Sequence, residues 1–176
     1  MIYKVRKNLV DHGLNLLCHL KTIVTNSENL DVPENKECAF CACLSGHRPY
    51  TILARNDSVA ILVTREQRGI AHLLVIPTHH YETILDLPDA AAADVMLALK
   101  AAAYAIDKAY GRQGISVWQN NGLPANQMIG HFHFHIAGTL DEGGTNTGEV
   151  RELSVGETDQ IAKRLKPWLP TLPQSE

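Results

Sequence analysis

Three histidines stand at alternate positions in residues 130–138, which read GHFHFHIAG. In a β-strand successive side chains point to opposite faces, so His131, His133 and His135 would share one face while the apolar residues between them are buried on the other. Neighbouring imidazoles would then lie about 7 Å apart, from a rise of roughly 3.3 Å per residue. Such a row can bind a metal, attack a substrate or relay protons near pH 7. A solvent-facing polar strand is the plainer alternative.

A pair of cysteines offers a second kind of chemistry. Cys38 and Cys41 form a Cys-x-x-Cys pair, which supplies half of a tetrahedral zinc site. In a reducing cytosol this spacing favours a metal site over a disulfide framework. Two packed, reduced cysteines are the alternative. Cys43 is close enough to serve as a further ligand, and Cys18 has no assigned role.

A polar loop, NGLPANQM at residues 121–128, comes directly before the histidines. Asn120 comes directly before this loop and Gln127 lies near its end, and both carry side-chain amides. Together with backbone N–H groups, such amides can hold phosphoryl oxygens and stabilise negative charge in a transition state. Taken alone, Asn121-Gly122 is equally typical of an ordinary turn.

The elements that must position these groups follow from hydrophobic periodicity. Apolar residues three and four apart predict one long helix over residues 88–110, with Gly111 at its end. Shorter apolar segments predict strands at residues 50–56, 59–64, 71–77, 115–120 and 129–138. A sheet with one long helix after its third strand indicates an α+β domain. Helical spacing predicts a further helix within residues 1–25, followed by a polar linker at 26–37, and a short helix at 157–166. We therefore expect an extension at 1–36, a domain at 37–140 and a tail at 141–176.

Composition limits the function classes. The chain has 176 residues, of which 45% are hydrophobic and 20% charged, and its net charge is −3 with histidine neutral. These values are typical of a globular protein and leave no basic footprint for nucleic acid. Charges interrupt the longest apolar region, so we expect no membrane span. Asp11, His12 and Gly13 stand where an apolar signal core would run, which makes a cytoplasmic location the default.

These motifs together resemble a known family. HFHFHIA resembles the His-x-His-x-His signature of the histidine-triad (HIT) nucleotide hydrolases and transferases. NNGLPANQMIG resembles the loop before that signature, AHLLVIPTHH is similar to the family's Gly-His-x-Leu-Val-Ile-Pro segment, and CAFC matches its zinc-binding members. The resemblance covers residues 38–137. It implies an antiparallel sheet with one long helix, and a homodimer with the helix at residues 88–110 in the interface.

The resemblance also implies a role for each motif residue. His133 would be the nucleophile that attacks the α-phosphorus of a nucleotide, and His135 would face the phosphate or the leaving group and help it depart. Asn120 and Gln127 would hold the phosphate. The resemblance adds His80 and His131 to the cysteine pair as ligands of a structural zinc ion, with Cys43 and His79 as competitors for the place of His80. The metal ligands expected are therefore Cys38, Cys41, His80 and His131.

Some residues depart from the family pattern. Thr64 stands where many members have an acidic residue or Asn for the ribose hydroxyls, and a threonine cannot make an aspartate's paired acceptance. Asn126 replaces a glycine, although asparagine tolerates left-handed backbone angles. Met128 replaces a serine near the leaving group of some members. His72 matches a family histidine, for which we expect a supporting hydrogen bond and no catalytic role.

The residues and the resemblance together predict an enzyme. We expect a nucleotide hydrolase of the phosphoramidase or dinucleoside polyphosphate hydrolase type, which releases a nucleoside 5′-monophosphate through a covalent nucleotidyl-histidine. A nucleotidyltransferase that uses a phosphate acceptor differs only in the acceptor. A nucleotide-binding protein with little catalysis and a histidine-rich metal module are the alternatives from other classes.

Overall fold

The computed structural model describes residues 30–34 and 36–172, which form an α+β fold around a five-stranded antiparallel sheet. The strand order across the sheet is β1-β2-β3-β5-β4. In chain order the elements are α1 (Ala39–Leu44), β1 (Ile52–Arg55), β2 (Val59–Val63), β3 (Ile70–Pro77), α2 (Asp89–Tyr110), β4 (Ile115–Gln119), β5 (Phe134–Gly138) and α3 (Val155–Leu165). The predicted helix within residues 1–25 and Cys18 lie outside the described residues.

Helix α2 covers one face of the sheet, as the periodicity predicts. Its buried residues include Val95, Leu99 and Ile106, which join the strand side chains in the main hydrophobic core. Burial of each such side chain contributes roughly 1.5–3 kcal/mol. The helix ends at Gly111, which adopts the left-handed backbone conformation expected of a C-terminal glycine. Because α2 packs on this face, the opposite face of the sheet is left for other elements.

The opposite face of the sheet carries the candidate site. Strand pairing places Leu74 beside His135, and His135 beside Trp118. The short helix α1 covers part of this face through Phe40 and Cys43. The sequence analysis did not predict α1, because six residues are too few for a periodic pattern. Its N-cap is Cys38, whose sulfur accepts a hydrogen bond from the Cys41 N–H.

The prediction of one strand over residues 129–138 is wrong in its first half. Strand β5 begins at Phe134, because the preceding backbone leaves the sheet to make other hydrogen bonds. The His131 N–H donates to the Ile129 carbonyl and the Phe132 N–H donates to the Tyr81 carbonyl. The three histidines therefore do not form one evenly spaced row. The His133 and His135 rings lie 4.8 Å apart between centroids, whereas the strand prediction gave about 7 Å.

The described part of the tail packs back onto the domain. Helix α3 begins two residues before the predicted start, because Ser154 and Glu157 form a capping box there. Leu165 and Leu172 are buried in the main core. No helix within residues 30–34 and 36–172 is long and apolar enough to cross a membrane.

Candidate active site and metal centre

His133 has the geometry of a nucleophile. Its side chain is only 5% exposed, and its Nδ1 lies 2.7 Å from the His131 carbonyl oxygen. Because a carbonyl oxygen only accepts, we assign the proton to Nδ1, which leaves a lone pair on Nε2. Burial lowers the pKa of His133, so the imidazole is neutral near pH 7. His133 also lines the open cleft on this face of the sheet.

His135 is held by His72 in a chain of hydrogen bonds. The Nδ1 of His72 lies 2.8 Å from the Glu66 carbonyl oxygen, and its Nε2 lies 3.0 Å from Nδ1 of His135. The first contact places a proton on Nδ1 of His72, so Nδ1 of His135 must donate to Nε2 of His72. The Arg68 N–H also points to Nδ1 of His72, but at the longer distance of 3.3 Å. The assignment leaves an unprotonated Nε2 on His135.

Both members of this pair are neutral at physiological pH. Burial, followed by repulsion from neighbouring imidazoles and Arg68, lowers the pKa of His135 to about 2. Burial also lowers the pKa of His72 to about 4. The Trp118 indole stacks flat on the His135 ring, with centroids 4.9 Å apart and planes 1° apart. The expected supporting hydrogen bond of His72 is therefore present in the structure, and its partner is His135.

Gln127 occupies a different position from the one expected. Its side chain is 1% exposed and does not line the cleft. Its Oε1 accepts from the Gly122 N–H at 2.6 Å, and its Nε2 donates to the carbonyls of Glu82 and Ile129. Since both amide protons are used in these bonds, the expectation of a direct contact from this side chain to phosphate is not met. Gln127 instead fixes the loop that precedes the histidines.

The other loop residues do face the cleft. Asn120 and Met128 line it, and Met128 is 75% exposed. Asn126 lines it as well, with a φ of 66°. Asn126 thus adopts the left-handed conformation, which glycine and asparagine tolerate better than most residues. Asn120 donates to the Asn126 carbonyl at 3.4 Å, in an exposed contact at the edge of the cleft.

The cleft itself has a volume of about 770 Å³. His133, His135 and Trp118 form part of its floor. Its further walls come from the segment between β2 and β3 and from the tail: Thr64, Arg65, Glu66, Arg68, Thr145, Asn146, Thr147 and Glu152. The sequence analysis missed Trp118, although it stands two residues before Asn120 and so shares a strand face with it. No local pattern could have placed the tail here.

Four side chains outside the cleft come together as a metal-binding group: Cys38, Cys41, His80 and His131. Their ligand atoms all lie within 4.8 Å of one another. Nδ1 of His131 lies 3.4 Å from Sγ of Cys38 and 3.7 Å from Sγ of Cys41, and Nδ1 of His80 lies 3.5 Å from Sγ of Cys41. Tetrahedral zinc with bonds of about 2.3 Å to sulfur and 2.0–2.1 Å to nitrogen requires separations of roughly 3.5 Å. The donor set therefore fits a metal ion of this kind.

His131 is prepared for ligation by its second nitrogen. Its Nε2 lies 3.0 Å from the Pro77 carbonyl oxygen and must carry the proton, so the lone pair is on Nδ1, which faces the cysteines. Burial lowers the pKa of His131 to about 4, which keeps the ring neutral. The His131 carbonyl in turn orients His133. One residue thus joins the metal-binding group to the candidate nucleophile.

The open alternatives for the metal ligands can now be compared. Cys43 is buried against the sheet in the smaller apolar cluster, and neither it nor His79 belongs to the metal-binding group of the described residues. His80 does belong to it.

The family assignment follows from this geometry and from comparison with known proteins. Residues 45–141, more than half of the chain, match the HIT domain family, so the chain belongs to that family. An uncharacterised HIT-like protein of Methanocaldococcus jannaschii is 28% identical over 131 residues, which are 73% of this chain and 98% of that protein. Adenosine 5′-monophosphoramidase of Schizosaccharomyces pombe is 33% identical over 56% of this chain and 71% of its own. Adenylylsulfatase of Arabidopsis thaliana is 31% identical over 57% and 51%, respectively.

Solved structures share the fold. A Hit-like protein of Bartonella henselae superposes with a TM-score of 0.71 at 23% identity, covering 79% of this chain and all of that one. A zinc-bound histidine triad family protein of Mycobacterium smegmatis gives a TM-score of 0.62 at 22% identity, covering 74% of this chain and 94% of its own. At these identities the likeness concerns the fold. The predicted α+β fold with an antiparallel sheet and one long helix is confirmed.

Proposed function

We propose that the protein is a nucleotide hydrolase that releases a nucleoside 5′-monophosphate through a covalent intermediate on His133. One observation carries the proposal. The His131 carbonyl fixes the proton of His133 on Nδ1, so that a neutral Nε2 with a free lone pair is available in an open cleft. This is the state in which an imidazole acts as a nucleophile.

The first step forms the covalent intermediate. Nε2 of His133 forms a bond to the α-phosphorus, and the bond from phosphorus to the leaving group breaks. The leaving group departs with the electron pair and takes a proton from solvent. The imidazole then carries a positive charge, which the His131 carbonyl stabilises through the Nδ1–H bond.

The second step hydrolyses the intermediate. A water oxygen attacks the phosphorus, and the phosphorus–nitrogen bond to His133 breaks. The unprotonated Nε2 of His135 is placed to accept a hydrogen bond from the attacking water and so to orient it, because its Nδ1–H is committed to His72. The water proton passes to solvent. The backbone of the loop fixed by Gln127, with the Asn120 amide, holds the phosphoryl oxygens in this proposal.

The substrate class rests on the relatives. Those named for an activity include adenosine 5′-monophosphoramidases and an adenylylsulfatase. Both names describe cleavage of an adenylyl group from a small leaving group. We therefore propose adenosine phosphoramidates as the first substrates to test, with dinucleoside polyphosphates as the next.

We also propose that the metal-binding group holds a structural zinc ion. All four tetrahedral positions would be filled by protein, which leaves no open position for a substrate. The ion would tie α1, the segment after β3 and the segment before β5 together. Its contribution to the reaction would be indirect, through the position of His131 and hence of His133.

We also propose a homodimer. Strand β4 lies at the edge of the sheet, and large apolar side chains are exposed on it and on α2: Val117, Met96, Leu97 and Tyr104. Pairing of two edges would cover both. Light scattering at micromolar concentration should give twice the chain mass, and a monomeric mass would contradict this part of the proposal.

The covalent mechanism is tested by incubation with an adenosine phosphoramidate, quenching in base and measurement of intact mass. A phosphorus–nitrogen bond to histidine should survive base and break in acid. We expect AMP release and a transient nucleotidyl adduct, both absent in His133→Ala. If the protein binds AMP but neither forms AMP from the phosphoramidate nor gives the adduct, the result would instead favour a nucleotide-binding protein without catalysis.

A further inference from the structure

One wall of the cleft comes from a segment that lies outside the family domain. The HIT match ends at residue 141, yet Thr145, Asn146, Thr147 and Glu152 line the same cleft as His133. These residues offer hydroxyl, amide and carboxylate groups, whereas the α1 side of the cleft is formed largely by Phe40 and Cys43. The tail therefore supplies polar groups to a site whose reacting groups belong to the domain.

Two arginines hold this segment in place. Arg68 donates to the Gly148 carbonyl at 2.8 Å, and its own carbonyl accepts from the Asn146 N–H at 2.6 Å. Arg65 donates from Nε to the Leu153 carbonyl at 2.6 Å, and its carbonyl accepts from the Leu153 N–H at 2.9 Å. Paired bonds at both ends make the segment a fixed wall of the site, which lowers the entropy lost when a ligand binds.

The side of the cleft that Glu152 occupies follows from its partners. Oε1 of Glu152 lies 2.9 Å from Nη1 of Arg65, and Arg65 follows Thr64 directly after β2. His133 and His135 belong to β5 and the segment before it, and β5 lies two strands from β2. Two strand spacings are roughly 10 Å. A nucleotide bound with its phosphorus at His133 and extended along the cleft would place its nucleoside toward Glu152.

A carboxylate at this position would match the two neighbouring hydroxyl groups of a ribose. Vicinal hydroxyls are two neighbouring donors, and a carboxylate accepts from both. Thr64 lines this part of the cleft but has one hydroxyl and is only 8% exposed. Glu66, the other carboxylate on the cleft, likewise gives one oxygen to an ion pair, with Arg68 at 2.9 Å. Loss of the ribose preference in Glu66→Gln but not in Glu152→Gln would therefore overturn the assignment to Glu152. Glu152 keeps its second oxygen available while Arg65 orients the first.

On this basis, which rests on the proposed function, we propose that Glu152 determines specificity for ribonucleotides by accepting hydrogen bonds from both ribose hydroxyls. The tail beyond the HIT domain would thereby supply the carboxylate that position 64 lacks. Its role is in binding, and it takes no part in the covalent step.

Calorimetric titration of the full-length protein with AMP and with 2′,3′-dideoxy-AMP tests this proposal. Hydrogen bonds to a charged group contribute about 1.5–3 kcal/mol, so we expect the protein to bind AMP at least about tenfold more tightly than the dideoxy compound. Glu152→Gln should lose that preference by weakening AMP binding alone. Glu149→Gln removes an exposed carboxylate from the same tail outside the cleft and should retain the preference.

Two further results would overturn the inference. If Glu152→Gln weakens both ligands equally, the residue acts through the shape of the wall, and if it weakens neither, the carboxylate does not meet the ribose. In both cases AMP release by the unsubstituted protein would leave the proposed function intact. Failure of that protein to bind AMP, together with no adduct, would instead overturn the proposed function and this inference with it.

Discussion

His72 links the Glu66 carbonyl to His135 through two hydrogen bonds, so its role in positioning His135 can be measured. His72→Phe preserves an aromatic ring in the buried site but removes both hydrogen bonds. The Nδ1–H of His135 then has no acceptor, which costs about 1–3 kcal/mol of stability. We expect kcat to fall at least about tenfold, because the tautomer of His135 is no longer fixed.

This prediction is checked by steady-state kinetics on an adenosine phosphoramidate together with urea unfolding. His47→Phe is the matched control, because His47 is exposed and its Nδ1 contacts only Ser45. A variant at His72 that loses stability but retains full kcat would mean that His135 does not need its partner.

Substitution of Gln127 tests whether its side chain holds the loop in place or contacts the substrate. Gln127→Met retains the volume but leaves the Gly122 N–H without its acceptor, so we expect the free energy of unfolding to fall by about 1–3 kcal/mol. Chemical denaturation measures this loss. Asn120→Ala, at the cleft edge, should change stability much less. An unchanged stability of Gln127→Met combined with lost activity would restore the direct phosphate contact expected from the sequence.

Individual residue types predict which groups could carry chemistry, but they do not predict the direction of every side chain. The alternation of histidines indicated a reactive cluster, and His133 and His135 do face the same cleft. Gln127 points away from it, because the loop turns at Gly122, where φ is 83° and the Gly122 N–H and carbonyl both bond to Gln127. Such a turn depends on contacts that a linear pattern does not contain.

At the scale of elements, the metal-binding group brings together α1, the segment after β3 and the segment before β5. Cys41→Ser should reduce bound zinc from one ion per chain to well under one. It should also lower the melting temperature and kcat, since the ion would hold α1 and the His131 segment together. Cys43→Ser is the matched control, because Cys43 lies in the same helix but outside the group, and it should retain the metal.

Elemental analysis of the purified protein decides this prediction. Equal metal loss in both cysteine variants would mean that Cys43 is a ligand after all. Two or more ions per chain, lost on substitution of His133 or His135, would favour a metal-binding module over a structural site.

The elements themselves were predictable to the extent that they are long or repetitive. Helix α2 and strands β2 and β3 have strong apolar patterns, and their observed bounds differ from the predicted ones by one residue. The start of β5 was not predictable, because the Tyr81 carbonyl, 51 residues away in sequence, competes for the Phe132 N–H. Helix α1 depends in the same way on Cys38 at its start, and the tail on Arg65 and Arg68.

At the scale of the whole molecule, buried histidines make stability depend on pH. The pKa of His72 falls from 6.5 to about 4 on folding, and that of His135 to about 2. The unfolded chain therefore binds protons below pH 6.5 that the folded protein does not bind. Stability should be complete above about pH 6.5 and fall as the pH decreases toward 4.

Urea unfolding at pH 7.5, 6.0 and 5.0 measures this dependence. His72→Phe removes one of the responsible groups, so its free energy of unfolding should depend less steeply on pH. Equal slopes for the two proteins would show that other groups, such as the zinc ligands, determine the response to acid.

The flat contact between Trp118 and the His135 ring also has an optical consequence. The only other tryptophan in the sequence, Trp168, lies in the segment after α3 and is 47% exposed. The Trp118 indole is stacked on the His135 imidazole, which a nucleotide would approach under the proposed function. Binding and release of a ligand at this site should therefore change the intrinsic fluorescence of Trp118, which can be followed in real time without an attached dye.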